Sequence, residues 1–327
     1  MAIFERIAKS PILVLGYRRF DMMADLLTRL PQDRKIYIHI DGAAKNTKFE
    51  VQETVRVAFE YKSKCPSGLI EIFHQRNNLG NLGSFRAAME WVFSSEEEII
   101  FLEDDIRFTS AFFPYMDWSL SNFRESSRIF HINGLSFLDI IPGRHRLFES
   151  YSCRSWGFGT WKRSWELYMQ LPPLPIDPEK VLSAPIFDKV ELTESFREKW
   201  IDRFTRLNRG TDTYDLGWNY TAWINSLYAL SPRHTYTTNI GFDSRSLHTK
   251  YKPKALRTPE KMNSQSFKSY NSPVIPFPSY YDAYSDFLEW RTPGINSGSA
   301  TYLNSIFEFA KRLNRLHNSG NKSRLEN

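Results

Sequence analysis

The feature that most narrows the fold is a rhythm in the first half of the chain, where short β-rich apolar runs alternate with longer stretches of helical periodicity. The runs fall at Pro11 to Leu15, Lys35 to Ile40, Leu69 to Phe73 and Glu98 to Leu102. Helical patterns lie between them from about Phe20 to Leu30, Lys48 to Lys62 and Leu82 to Phe93, the last with Phe85, Ala88, Met89 and Val92 on one face. A further helix is expected from about Ser110 to Phe123 and a strand at Ile129 to Asn133. Such alternation is the signature of βαβ units. The expected fold class is therefore α/β, a Rossmann-like, mostly parallel sheet flanked by helices. Ligands of such sheets bind beyond the carboxyl ends of the strands, so the residues just after each strand are the ones to read.

The second half is less regular. The run Leu171-Pro-Pro-Leu-Pro175 breaks the pattern, helices are expected near Thr193 to Leu207 and Leu216 to Leu227, and a strand near Thr235 to Ile240. Residues from about Lys250 to Pro293 are rich in Ser, Pro, Lys and Tyr and read as loop. At 327 residues with 41% hydrophobic side chains, the chain can bury a large core without disulfides. Its two cysteines, Cys65 and Cys153, form neither a disulfide framework nor a CxxC site, which favours a reducing cytoplasm. The N-terminus lacks an apolar segment of the signal-peptide kind, and no stretch reaches the roughly 18 apolar residues of a membrane span. The net charge of +6 suits an anionic ligand or an acidic membrane surface. Nucleic acid is not expected, since zinc-finger spacing, an RNP-like motif and a long basic block are all missing.

The post-strand residues are polar: Gly16-Tyr17-Arg18-Arg19 after the first strand, Asp41-Gly42 after the second, Glu103-Asp104-Asp105 after the fourth. Three acids crowded at the end of the apolar run Ile99-Ile-Phe-Leu102 repel one another unless a cation compensates them, and hard divalent cations take oxygen ligands. A solvated acidic turn is the plainer alternative. The stretch Asn77-Asn78-Leu79-Gly80-Asn81-Leu82-Gly83-Ser84-Phe85-Arg86 opens a helix. Its glycines, helix N-terminal amides and Arg86 would suit an anionic group, although an ordinary capped helix start has the same look. The spacing is not G-x-G-x-x-G, which removes the main support for a dinucleotide site.

Together these stretches resemble the GT-A glycosyltransferases, and in particular a bacterial relative of N-acetylglucosaminyltransferase I. The resembling residues are Pro11 to Arg19, Tyr37-Ile-His-Ile-Asp-Gly42, the Asn77 to Arg86 loop, and Phe101-Leu-Glu-Asp-Asp-Ile-Arg-Phe108 followed by Phe112-Phe113. The resemblance implies a nucleotide diphosphate-sugar donor, a UDP-sugar by analogy, a glycan acceptor and a divalent metal, Mn²⁺ or Mg²⁺. It makes Asp105 the metal ligand and sets Glu103 and Asp104 near the donor's ribose and sugar. Asp41 falls at the nucleoside, the Gly16, Tyr17 and Arg18 turn borders the nucleotide, and Asn78, Gly80, Asn81 and Arg86 belong to the same donor site. His248, closing the run from Asn239 to Thr249, corresponds to a further metal ligand. Ser155-Trp156-Gly157-Phe158-Gly159 is similar to a segment beside the acceptor in related bacterial enzymes, which makes Trp156 and Gly157 acceptor-side residues; a strand entering a helix is the alternative. In Thr211-Asp212-Thr-Tyr-Asp215-Leu-Gly-Trp218 two acids compete for the general base, and the resemblance favours Asp215. A helix cap is the alternative there.

On this reading residues 1–250 form a GT-A catalytic domain, with a nucleotide-sugar half at 11–123 and a less regular acceptor-side half at 150–250. Residues 251–327 form a loop-rich extension with an amphipathic helix, Tyr302 to Leu316. That helix suits peripheral contact with the inner face of a membrane, or simple docking on the domain. Two rivals remain. A sugar nucleotidyltransferase would need an N-terminal Gly-rich loop, which Pro11 to Asp21 lacks, and a non-catalytic carbohydrate- or nucleotide-binding protein could retain the same fold.

Overall fold

In the computed structural model, which describes residues 8–66, 68–137, 147–171, 174–188, 192, 194–246, 252–253 and 256–258, four parallel strands form one side of a central sheet. They are β1 (Ile12–Gly16), β2 (Ile36–Ile40), β3 (Ile70–His74) and β4 (Glu98–Glu103). Strand β1 is the sequence Ile-Leu-Val-Leu-Gly, buried at every position, as a strand covered on both faces must be. Alternate residues divide between two cores. Leu13 and Leu15 face α3 (Gly80–Phe93) through Phe85, Ala88 and Met89, while Ile12 and Val14 face α1 (Phe20–Arg29) and α2 (Lys48–Lys64) through Met23, Leu26 and Val51. The helical face read from Phe85, Ala88, Met89 and Val92 is the buried face of α3.

The other strands of this sheet are β6 (Ile129–Asn133), β7 (Leu147–Ser150), β8 (Phe158–Trp161) and β9 (Tyr228–Pro232). The spatial order is β3-β2-β1-β4-β8-β6-β9-β7. Strands β8 and β7 run antiparallel to their neighbours and the rest share one direction, so the sheet is mixed but mostly parallel. Helix α4 (Phe112–Asn122) covers β8, and α5 (Lys162–Met169), α6 (Pro178–Leu182), α7 (Glu194–Asn208) and α8 (Asp215–Ile224) complete the second half.

The expected elements of the first half are present with ends shifted by up to two residues. In the second half β7, α6 and β9 go beyond the sequence reading, and the segment from Ser155 to Arg163 is a strand running into a helix. The strand expected near Thr235 to Ile240 is shorter, β10 (Thr237–Asn239), and pairs not with the main sheet but with a short β5 (Ile106–Phe108). That two-stranded sheet brings Ile240 against the acidic strand end, where its amide donates to the Asp105 carbonyl at 2.9 Å.

Among the described residues no helix is long and apolar enough to cross a membrane, and both cysteines are free thiols. The amphipathic segment Tyr302 to Leu316 and His248 lie outside the described residues.

Candidate active site

A cleft of about 1160 Å³ opens at the carboxyl ends of β1, β2 and β4 and extends under α7 and the start of α8. Its wall brings together residues far apart in sequence: Gly16, Tyr17 and Arg18; Asp41; Asn78, Gly80 and Asn81; Glu103, Asp104 and Asp105; Trp156; Asp212 and Asp215. Arg86 and Gly157 are not on that wall. Arg86 enters α3 nearly two turns past its start, and its guanidinium lies over the Tyr168 ring, 5.6 Å from the centroid. Gly157 is buried behind the cleft with φ +79°, and its carbonyl accepts from Gly134 N at 2.9 Å.

The start of α3 is a capped helix start, the second of the two readings of that stretch. Asp41 Oδ1 accepts from Gly42 N at 2.8 Å and Leu79 N at 2.9 Å, while its Oδ2 accepts from Asn78 Nδ2 at 3.0 Å and Gly80 N at 3.1 Å. The next two amides, Asn81 N and Leu82 N, donate to Asp212 at 2.7 and 2.8 Å. Four successive amides of a helix N-terminus are thus satisfied by two carboxylates from elsewhere in the chain. Gly80, with φ +73°, leaves room for this, because a Cβ there would overlap the Asp212 carboxylate.

The end of β4 is arranged differently. Asp104 and Asp105 are 6% and 7% exposed, and the balancing charge comes from Arg19. Its Nη1 donates to Asp105 Oδ2 and lies 3.7 Å from Asp104 Oδ1, and its Nη2 donates to the Gly241 carbonyl at 3.1 Å. Burial opposes the guanidinium charge, but Asp105 and Asp104 outweigh it and hold Arg19 above its ordinary value. Burial followed by the Asp105 charge pushes Asp104 up to about 7. Glu103 is raised well above the usual carboxylate range by burial, then by Asp105, Asp104 and Asp215.

Across the cleft, Asp215 is the first residue of α8. Its Oδ1 accepts from the Thr213 hydroxyl and from Leu216 N at 3.0 Å, and the helix dipole favours its negative charge. Asn219 ties the Asp215 carbonyl, at 2.9 Å, to both backbone groups of Cys153. Tyr214 stacks on Phe85 at 3.9 Å, and its hydroxyl makes no hydrogen bond of acceptable geometry. Burial raises that hydroxyl well above its ordinary value, and the Glu103, Asp215 and Asp105 charges raise it further.

Six buried side-chain polar atoms of the cleft wall lack a hydrogen-bond partner among the described residues: Arg18 Nε, Asn81 Oδ1, Asp105 Oδ1, Ser152 Oγ, Trp200 Nε1 and Tyr214 Oη. Such atoms are rare in closed interiors, so their gathering here marks a surface built to meet something else.

The residues fit a divalent cation at one point. Asp105 Oδ1 is a hard oxygen donor, buried and unmatched. Among the described residues no three His, Cys, Asp or Glu side chains converge on one metal position, so most of a cation's oxygens would have to come from ligand and water. Arg19, Tyr214, Arg154, Arg203, Arg245 and Lys252 line the cleft without having been singled out from the sequence. For Arg19 a signal existed: it stands at the N-cap of α1, a position that favours Ser, Thr, Asp or Asn.

No family model matches the chain, and no curated protein matches it significantly. Solved structures that match it weakly include a mannose-1-phosphate geranyltransferase from Thermus thermophilus, at 10% identity and TM-score 0.34, covering 69% of this chain and 74% of that one. The glycosyltransferase GlyE of Streptococcus pneumoniae matches at 12% identity and TM-score 0.29 over 68% of this chain, and its apo form at 11% and 0.25 over 69%. The matches cover 45% and 54% of the two GlyE chains, so this chain spans about half their length. Likeness this distant bears on neither substrate nor chemistry.

Proposed function

We propose that this chain is a glycosyltransferase of the GT-A type, which moves a sugar from a nucleotide diphosphate-sugar to a glycan acceptor. The observation that carries the reading is the acidic end of β4, facing Asp215 across a cleft whose wall holds six unmatched polar atoms. In this reading Tyr17 and Thr47, whose hydroxyls lie 2.9 Å apart, border the nucleoside, with a UDP-sugar as the donor. Asp41 acts by fixing the loop before α3 rather than by reaching the base. Arg18 and Arg19 supply the positive charge a diphosphate needs. A divalent cation, Mn²⁺ or Mg²⁺, would be held by Asp105, and when bound it would neutralise the leaving diphosphate. Asp215 takes the proton of the acceptor hydroxyl as that hydroxyl attacks the anomeric carbon, a single displacement that inverts configuration. Trp156, packed edge-on against Phe242 at 5.9 Å, lines the acceptor side.

One observation favours a second reading. Arg19 already compensates Asp105, as it would in a nucleotide- or carbohydrate-binding protein without turnover. Thermal-shift titration with UDP- and GDP-sugars, with and without Mn²⁺, followed by transfer assays on a glycan panel, separates the two. Stabilisation by a sugar nucleotide together with transfer supports the enzyme; binding without transfer or donor hydrolysis supports the binding protein. No response to any sugar nucleotide removes both.

A further inference from the structure

We infer that Arg19 is a built-in counter-cation which keeps divalent metal off Asp105 until a nucleoside diphosphate draws it away, so that metal and nucleotide bind cooperatively. This rests on the proposed role of Asp105 as the metal-facing carboxylate. The geometry is that of an occupied site. Arg19 grips Asp105 Oδ2, sits 3.7 Å from Asp104 and is fastened to the Gly241 carbonyl. Gly241 is needed for this, because a Cβ there would overlap both the Asp105 carboxylate and the Arg19 guanidinium. The remaining oxygen, Asp105 Oδ1, is sealed from solvent and unmatched, so a cation reaches it only if the arrangement opens.

A guanidinium and a divalent ion on one carboxylate repel each other, so entry of the metal requires Arg19 to let go. An arginine fork matches phosphate oxygens as well as it matches a carboxylate, and a diphosphate therefore offers it a better partner than one shared Asp. Arg18 stands nearby, its Nη2 donating to the Arg245 carbonyl at 2.7 Å, and extends the receiving surface for the anion, whereas the Arg245 guanidinium is itself held by Asp21 and Asp243. Because coupling between two ligands is reciprocal, nucleotide raises metal affinity by the same factor as metal raises nucleotide affinity.

The test is Mn²⁺ binding to the full chain, followed by the electron-spin-resonance signal of free Mn²⁺, with and without UDP. Wild type is compared with Arg19→Gln, which keeps reach but loses charge, and Arg19→Lys, which keeps charge. Without nucleotide, Arg19→Gln should bind Mn²⁺ at least tenfold more tightly than wild type, and Arg19→Lys should stay near wild type. UDP should raise Mn²⁺ affinity more in wild type than in Arg19→Gln. Equal or weaker nucleotide-free binding by Arg19→Gln overturns the inference while leaving Asp105 as a metal ligand if wild type binds Mn²⁺ with UDP. If Arg19→Gln melts too low to be measured, wild type decides alone: Mn²⁺ affinity no greater with UDP than without overturns it. No Mn²⁺ binding by any form removes the metal reading and the inference together.

Discussion

The start of α3 and the end of β4 lie on the same cleft wall, and both concentrate charge, yet the chain treats them in opposite ways. At α3, Asp41 and Asp212 meet four amides, and each of their oxygens accepts at least one hydrogen bond. At β4, three acids share one close cation, and Asp105 keeps an unmatched buried oxygen. A glycine-bearing loop that opens a helix is the more familiar anion site, but here its electrostatic potential is already cancelled. Ligand chemistry belongs where the fold has left charge uncompensated.

The largest effect expected from this difference separates two acids only three residues apart. Both acids line the cleft, but both oxygens of Asp212 are tied to the start of α3, so on the proposed mechanism Asp215→Asn should lower transfer by about 10²- to 10⁴-fold while sparing fold and donor affinity. Asp212→Asn should change transfer far less. Measuring kcat and donor affinity for both variants checks this. Near-normal turnover in the Asp215 variant would make it another helix-start residue and erase the contrast.

A second comparison opposes stability at one end to its absence at the other. Asp41→Ala strips acceptors from three backbone amides and from the Asn78 side chain, which should cost on the order of 3–5 kcal/mol. Asp105→Ala removes repulsion from Glu103 and Asp104 and leaves Arg19 within reach of Asp104, so its stability should stay within about 1 kcal/mol of wild type. Urea denaturation of the two variants decides, and equal losses would mean that the acids of β4 are as structural as Asp41.

How much of this is readable in the sequence follows from which interactions are local. Strands β1 to β4 and helices α1 to α3 are legible because their apolar periodicity is set within each segment, as in Ile12–Gly16 or Phe85-Ala88-Met89-Val92. The acidic end of β4 is legible for the same reason. That Asp212 caps a helix 131 residues upstream of it is not, because the bond exists only once α7 and α8 have packed. Beyond its unusual place at a helix N-cap, the role of Arg19 is not legible, because its partners, Asp105 and Gly241, lie 86 and 222 residues away. Strands β7 and β9 escape notice because Phe-Glu-Ser and Leu-Ser-Pro carry little alternation, their burial being a property of the sheet they join.

Acid should weaken both halves of the molecule through two buried histidines. His39, beneath α3, is pushed down to about 4 by burial and then by His74; His131, which accepts from Trp218 Nε1 at 3.1 Å in the second half, is pushed down to about 3 by burial. Each ring is neutral in the fold and takes up a proton on unfolding once the pH drops below about 6.5. The unfolded state then binds more protons, so each histidine removes about 1.4 kcal/mol of stability per pH unit below that point, until its folded value is reached. Glu103 and Asp104 act in the opposite sense, their contribution being present at low pH and lost as the pH rises, so the histidine effect must be isolated. The difference in stability between wild type and His39→Gln, followed from pH 7 to pH 5, should fall steadily in the variant's favour. A pH-independent difference would show that His39 titrates in the fold as it does in the unfolded chain.

The smallest expected effect is also the most direct attempt to turn one end of the cleft into the other. Asp212 is exposed, and it caps α3 through Asn81 N and Leu82 N alone. Its replacement by Ala should therefore cost only about 1 kcal/mol, the usual value for a lost N-cap, and lower the melting temperature by roughly 1–2 °C for a chain of this length. What changes more is the local potential. With Asp212→Ala the two amides and the positive end of the helix dipole face the cleft uncancelled, which is the condition for anion binding at a helix start. The variant should bind inorganic phosphate more tightly than wild type does, and the gain should vanish at high salt as the Debye length shortens. Calorimetric titration of phosphate into both proteins at low and high salt tests this. A variant that melts lower but gains no phosphate affinity would show that Asp41 alone is enough to cancel the helix start, and that the contrast with β4 rests on one carboxylate rather than two.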